Sequence, residues 1–233
     1  MTYNQDHSNR LFELTKAAVV FDLDGTLIDT SEDIVYTINH MRRQAGMQPL
    51  CNRMVLNAVG HGASILVQKT LEIDPDDTER LESLVSECRA HFALHQGTRS
   101  HPYPGISEMI ARLYEFADLY VLSNKPSYEV IHEVDLAGFA HYFREIWGAG
   151  SFAQLKPDPG GIYAAMELSG VVAENTIMVG DLPVDMETAI RAGVHAVFVT
   201  WGFGSVLDIR DESIVIAENP SNLPELVASI LRQ

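Results

Sequence analysis

The chain has 233 residues, 46% of them hydrophobic, which suits one large domain or a core domain carrying a smaller insert. Its formal net charge of −16 argues against nucleic acid as a partner, because binding a phosphate backbone draws on stripes of Lys and Arg. No apolar stretch approaches the roughly 20 residues that span a bilayer, so no membrane association is expected. Residues 1–16 carry Asp6, Arg10, Glu13 and Lys16, lack the apolar segment of a signal peptide, and read as a short, partly ordered lead-in. Cys51 and Cys88 are the two cysteines, without zinc-type spacing, so a reduced, cytoplasmic setting with inert thiols is expected.

The run Ala17-Ala18-Val19-Val20-Phe21 predicts a buried strand that must end at Asp22-Leu23-Asp24-Gly25-Thr26. Ser31-Glu32-Asp33 offers capping chemistry for a helix that places Ile34, Ile38, Met41 and Ala45 on one face, with Gly46 and Pro49 to stop it. Helical patterns follow near 64–71 and 76–95, the latter with Leu81, Leu84, Val85, Cys88 and Phe92 at helical spacing. Residues 36–96 thus read as all-helical.

From Gly105 the pattern alternates. Ile106, Met109, Ile110 and Leu113 make a helix face, then come a strand at 119–122, a helix at 128–136 and a short strand at Ile146-Trp147. A helix at 160–169, a strand at 176–179, a helix at 183–192 and a strand at 196–200 follow. Ile214-Val215-Ile216 and a helix at 223–231 close the chain. Alternating strands and helices predict an α/β fold, a doubly wound parallel sheet, with a small all-helical insert. The expected boundaries are 1–30 and 100–233 for the core and 31–99 for the insert, which would act as a cap on hinge connections.

In a parallel sheet the carboxyl ends of the strands share one edge, where ligands bind. Asp22 and Asp24, Ser123-Asn124-Lys125, Lys156 in the loop before Pro157, and Gly180-Asp181 with Asp185 all fall just after strands or in the loops beside them. Together they suit phosphoryl transfer to an aspartate. Asp22 is suited to be the nucleophile, and Asp24 would protonate the leaving alkoxide and then activate water. Lys156 neutralises charge, and Ser123 with backbone N–H groups donates to the phosphoryl oxygens. Magnesium prefers oxygen ligands and takes one or two protein carboxylates, a demand that Asp22 and Asp181 meet.

Through these four motifs, in this order, the chain resembles the haloacid dehalogenase superfamily in its phosphatase branch. The resemblance implies a Rossmann-like core, a helical cap after the first motif, and Mg2+ held by Asp22, the Asp24 main-chain carbonyl and Asp181. Asp185 would orient metal-bound water or Lys156, and Thr26, Ser123 and Asn124 would bind phosphate. Val59-Gly60-His61-Gly62-Ala63 and the Trp201-Gly202-Phe203-Gly204 loop are similar to phosphoglycolate phosphatases. Leu182 departs from the pattern, since many relatives carry a small polar residue there.

The expected activity is a magnesium-dependent phosphatase acting on a small phosphorylated metabolite, 2-phosphoglycolate or similar, as a monomer or homodimer. A sugar-phosphate phosphomutase and a non-catalytic phosphate-binding protein are the alternatives. His61, with glycines on both sides, is a candidate to enter the site and meet a substrate carboxylate, against an ordinary exposed turn. Gly202 and Gly204 either border the cleft or make a plain turn. His91 and His95, four apart on a helix, are read as solvated rather than as a zinc pair, and Arg42, Arg43, Arg53 and Lys69 as exposed.

Overall fold

The computed structural model describes residues 16–232; the lead-in expected over 1–16 lies, apart from Lys16, outside them. The first strand, β1 (Ala17–Phe21), is wholly buried, so both of its faces need cover. Its odd residues Val19 and Phe21 face one apolar cluster, and its even residues Ala18 and Val20 face another. The first cluster draws on α5 (Ile106–Tyr114), α6 (Ser127–Leu136) and α9 (Leu223–Ile230). The second draws on α7 (Gly160–Ser169) and α8 (Pro183–Ala192). This is helix–sheet–helix layering, the arrangement expected when strands buried on both faces read as continuous apolar runs.

The six-stranded sheet has the order β5-β4-β1-β6-β7-β8, all parallel. Its other members are β4 (Ala117–Pro126), β5 (Phe143–Ala149), β6 (Thr176–Gly180), β7 (His195–Val199) and β8 (Val215–Ala217). From β1 the chain runs to β4 on one side and returns to β6 on the other, so β1 lies at the switch point where the carboxyl edge opens into a crevice. Asp22 is the first residue beyond that strand.

The insert comprises α1 (Ser31–Gln44), α2 (Asn52–Leu56), α3 (Ala63–Thr70) and α4 (Thr78–His95), around its own core of Ile34, Ile38, Met41, Val55, Val67 and Phe92 among others. The helix at α2, a single turn, was not expected. Two further short strands, β2 (Ile28–Asp29) and β3 (His101–Pro102), pair antiparallel and bind the outgoing connection to the returning one. The α1 cap also differs from expectation. Thr30 occupies the N-cap position without a side-chain cap bond, and the Asp29 carboxylate accepts from the Ser31 N–H instead. Asp33, expected as a cap, is buried and clasps the returning chain. Its oxygens accept from the backbone N–H of Gly97, Arg99 and Ser100 and from the hydroxyls of Thr98 and Ser100, at 2.6–3.3 Å.

Arg42 is a further correction. It is 5% exposed and donates to the carbonyls of Gln48 and Thr70 inside the insert, whereas Arg43, Arg53 and Lys69 are exposed as expected. His91 and His95 are half-buried rather than solvated: the His91 ring stacks on His40 at 4.0 Å between centroids and lies 4.7 Å from that of His95. Cys51 is exposed and Cys88 buried, both as free thiols; burial pushes the Cys88 thiol up to about 12. Among the described residues no helix is long and apolar enough to cross a membrane.

Candidate active site

Asp22 leaves β1 with its carboxylate 2.8 Å from the Lys156 ammonium, which also donates to Asp185 at 2.7 Å. Asp181 joins them from the end of β6, so that Asp22, Asp181 and Asp185 can each place one oxygen within 4.8 Å of the others. All three are buried. Burial pushes the Asp22 carboxyl up to about 7, with Lys156 pulling it down and Asp185 and Asp24 pushing it further up. Burial, then the charges of Asp22 and Asp185, hold Asp181 well above the carboxylate range. For Lys156 burial works against the ammonium, but Asp185 and Asp22 outweigh it and hold its proton more firmly than in an ordinary lysine.

Three buried carboxyl groups face one ammonium here, and all three ionised together would leave two negative charges uncompensated in a medium where unpaired charge is costly. That deficit, in an all-oxygen donor set, fits a divalent cation. The backbone is shaped for the crowding. Gly25 has φ +84°, and a Cβ there would run into the Asp181 carboxylate, so this turn admits glycine alone. Asp181 is fixed on both oxygens, by the Thr26 hydroxyl at 3.0 Å and the Phe203 N–H at 2.7 Å. The Thr26 hydroxyl, expected at the phosphate, donates to Asp181. The Trp201-Gly202-Phe203-Gly204 loop borders the site rather than making an indifferent turn: the Trp201 indole donates to the Thr26 carbonyl, and Phe203 packs against the insert.

Asp185 caps α8 through Oδ2, which accepts from the Leu182 N–H at 3.1 Å, while its Oδ1 carries Lys156. The Leu182 backbone makes this bond whatever the side chain is. The side chain serves the insert. A Cβ on Gly60 would come within 2.5 Å of Leu182 Cδ1 and within 3.6 Å of Val184, so the loop at Gly60 is seated directly on this leucine.

Asn124 completes the seat. Its amide donates to the Gly60 carbonyl at 2.8 Å and to the Lys156 carbonyl at 2.9 Å, and its Oδ1 accepts from the Lys156 N–H at 2.8 Å. Expected at the phosphate, Asn124 is committed on both amide atoms to joining the lysine loop to the insert. Ser123 lines the cavity with Asp22, and its Oγ accepts from the Lys125 N–H at 3.2 Å, leaving the hydroxyl proton to donate.

The cavity lies between insert and core. Asp22, Asp24, Ser123, Lys125, Glu129 and Lys156 make its polar floor, and Ile34, Ile38, Val59, Leu66 and Phe92 its apolar roof, with Thr37 and Arg89 as polar exceptions. Gly60 and Gly62 line it. His61 does not: it is exposed and outside the lining, because the glycines beside it, rather than the imidazole, make the close approach to Leu182, Asn124 and Leu155. Residues the sequence reading missed are Thr30, which donates to Asp24 Oδ1 at 2.7 Å, and Lys125 with Glu133. For Lys125 a signal existed, its place directly after Ser123-Asn124 at the sheet edge; for Thr30 none did.

The family model described as haloacid dehalogenase-like hydrolase matches residues 19–199. The chain is 32% identical over 213 residues to a phosphoglycolate phosphatase of Pseudomonas putida, covering 88% of this chain and 78% of that one. To a phosphoglycolate phosphatase of Neisseria meningitidis it is 34% identical over 224 residues, 93% of this chain and 94% of that one. Among solved structures, that of a predicted phosphoglycolate phosphatase from Haemophilus somnus superposes with a TM-score of 0.82 at 22% identity, over 90% of this chain and 97% of that one. The chain belongs to the haloacid dehalogenase-like hydrolase family.

Proposed function

We propose that this family member is a magnesium-dependent phosphatase of small soluble phosphate monoesters, acting through an aspartyl-phosphate at Asp22. The observation that carries the reading is the pairing, at the switch point of the sheet, of Asp22 on Lys156 with Asp24 beside it, both acids facing one cavity. An Asp22 oxygen attacks phosphorus and the ester P–O bond breaks. The departing alkoxide takes a proton from the Asp24 carboxyl. Asp24, now a carboxylate, removes a proton from water, whose oxygen attacks the same phosphorus and returns Asp22 as a carboxylate. Lys156 and the Ser123 hydroxyl meet charge that builds on the phosphoryl oxygens.

A divalent cation held by Asp22, Asp181 and the Asp24 main-chain carbonyl would supply the positive charge needed to bring a phosphate dianion to a carboxylate. Asp185 acts on Lys156 rather than on the phosphate, since its other oxygen is fixed by the α8 cap. The insert acts as a cap that excludes water from this chemistry.

The relatives' names make 2-phosphoglycolate the first substrate to try, in a cytoplasmic enzyme working as a monomer or homodimer. The test is a screen of phosphate esters with magnesium, ranked by kcat/KM, with product analysis of a hexose 1-phosphate to detect phosphoryl return. Release of phosphate that depends on magnesium and disappears in Asp22→Asn is expected. Stoichiometric binding without turnover, or conversion of the hexose 1-phosphate to its 6-phosphate, would overturn it.

A further inference from the structure

We infer that Lys125, clamped by Glu133, is a positioning residue for Asp24, fixing one carboxylate oxygen so that the other alone faces the leaving group. The inference rests on the reading of Asp24 as the acid. The Lys125 ammonium lies 2.7 Å from both Glu133 oxygens and 3.0 Å from Asp24 Oδ1. An ammonium has three N–H donors, and here three carboxylate oxygens take them. The lysine side chain is 8% exposed and that of Glu133 2%, so neither is a solvated surface charge.

Asp24 Oδ1 also accepts from the Thr30 hydroxyl at 2.7 Å and so holds two donors. Asp24 Oδ2 has no partner among the described residues, yet no buried side-chain polar atom among them lacks one. Oδ2 is therefore open, on a residue that lines the cavity. A proton carried by this carboxyl has to sit on Oδ2, since on Oδ1 it would oppose two donors already in place. The face that meets the leaving oxygen is thereby fixed.

A purely structural role is the competing explanation, and energetics weigh against it. A buried ion pair can be replaced by apolar side chains at little cost or with a gain in stability. This pair is instead extended to a second carboxylate, that of Asp24 in the cavity floor. The Phe92 ring of the insert, 4.5 Å from Nζ, covers the lysine from the other side, so the same insert that roofs the cavity keeps water from this contact.

The decisive measurement is kcat/KM for an alkyl phosphate, a poor leaving group, and for 4-nitrophenyl phosphate, a good one. Lys125→Met alone strands Glu133 in the interior, so the double variant Lys125→Met, Glu133→Gln is used. A misplaced acid is expected to cost the alkyl ester about 30-fold and the aryl ester no more than about threefold. Lys125→Arg should restore the alkyl rate to within about fivefold, because it keeps the donors. Thr30→Val removes the other donor to Oδ1 without touching a buried charge and must shift the ratio in the same direction, whether or not the double variant folds. Equal losses for both esters in the double variant, or an unchanged ratio in Thr30→Val, would overturn the inference. Failure of the wild-type protein to hydrolyse either ester would instead remove the reading of the site as a phosphatase.

Discussion

Gly60→Ala tests whether the insert must seat on Leu182 for turnover. Gly60 has φ +104°, a region that costs an L-residue about 1–2 kcal/mol. The new Cβ would stand 2.5 Å from Leu182 Cδ1, closer than side chains approach, and relieving the overlap adds about 1–3 kcal/mol. Only the seated conformation bears this cost, so kcat/KM should fall roughly 10²-fold, the equivalent of about 3 kcal/mol. The thermal midpoint should move little, because the sheet core and the insert's own core do not include Gly60. Leu182→Ala alone should cost less than about threefold. Combined with Gly60→Ala it should recover about tenfold, since the overlap is gone and the backbone strain remains. Gly60→Ala with kcat/KM within threefold of wild type, or with no recovery on adding Leu182→Ala, would refute the seated-insert argument.

Asp22→Asn should reduce kcat to below about 1% of wild type, an amide being a poor nucleophile; more activity in a steady-state assay would point to direct attack by water. Asp24→Asn should cost about 10²–10⁴-fold, more for poor leaving groups than for good ones, as a plot of kcat/KM against leaving-group pKa would show. Removal of divalent metal by a chelator should abolish activity, with recovery on adding magnesium, and full activity in excess chelator would sink the mechanism. His61→Ala should change kcat/KM for a carboxylate-bearing ester by less than about threefold, because the exposed imidazole lies outside the cavity lining. For Asp33, burial pushes the carboxyl up, but bonds from Ser100, Arg99 and Thr98 outweigh it and hold the folded-state pKa below the ordinary 3.8. Its contribution is complete above that value and lost as pH falls through the lower one, so wild type and Asp33→Asn should differ in urea midpoint at pH 7 and converge in acid.

What the sequence revealed follows from how local each signal is. The buried strand at 17–21 and the helices over 160–169 and 183–192 were read with their observed bounds, because apolar runs and Gly or Pro punctuation sit within the elements themselves. The strand read at Ile146-Trp147 is Phe143–Ala149, since Arg144 and Glu145 are exposed on an edge strand and break its apolar run. The two-residue strands β2 and β3 carry no periodicity at all; they exist only because the chain returns beside itself. The site shows the same division. That Asp22, Asp24, Ser123, Lys156, Asp181 and Asp185 meet was legible from strand ends. The partners of Thr26 and Asn124 were not, because the atoms they bind lie 155, 64 and 32 residues away in sequence. A hydroxyl and an amide in a phosphate-site motif look alike whether they touch phosphate or hold the residues that do.

The charge of the chain bears on the site more directly than a count of −16 suggests. Its two buried lysines are both paired with acids, Lys156 with Asp22 and Asp185 and Lys125 with Asp24 and Glu133. A phosphate dianion entering the cavity adds negative charge beside the buried cluster of Asp22, Asp181 and Asp185, which Lys156 alone faces. Neither lysine can turn wholly toward it without stranding a buried carboxylate, which is among the costlier changes a protein interior can suffer. Burial raises the Asp22 carboxyl against the pull of Lys156, and a protonated carboxyl is a poor nucleophile. On the proposed mechanism the lysines would hold the two acids in place, and a bound divalent cation would supply charge that ionises Asp22 and receives the phosphate. A dependence on divalent metal would follow from the proposed mechanism, and the acidic balance of the chain would then be no obstacle to an anionic substrate.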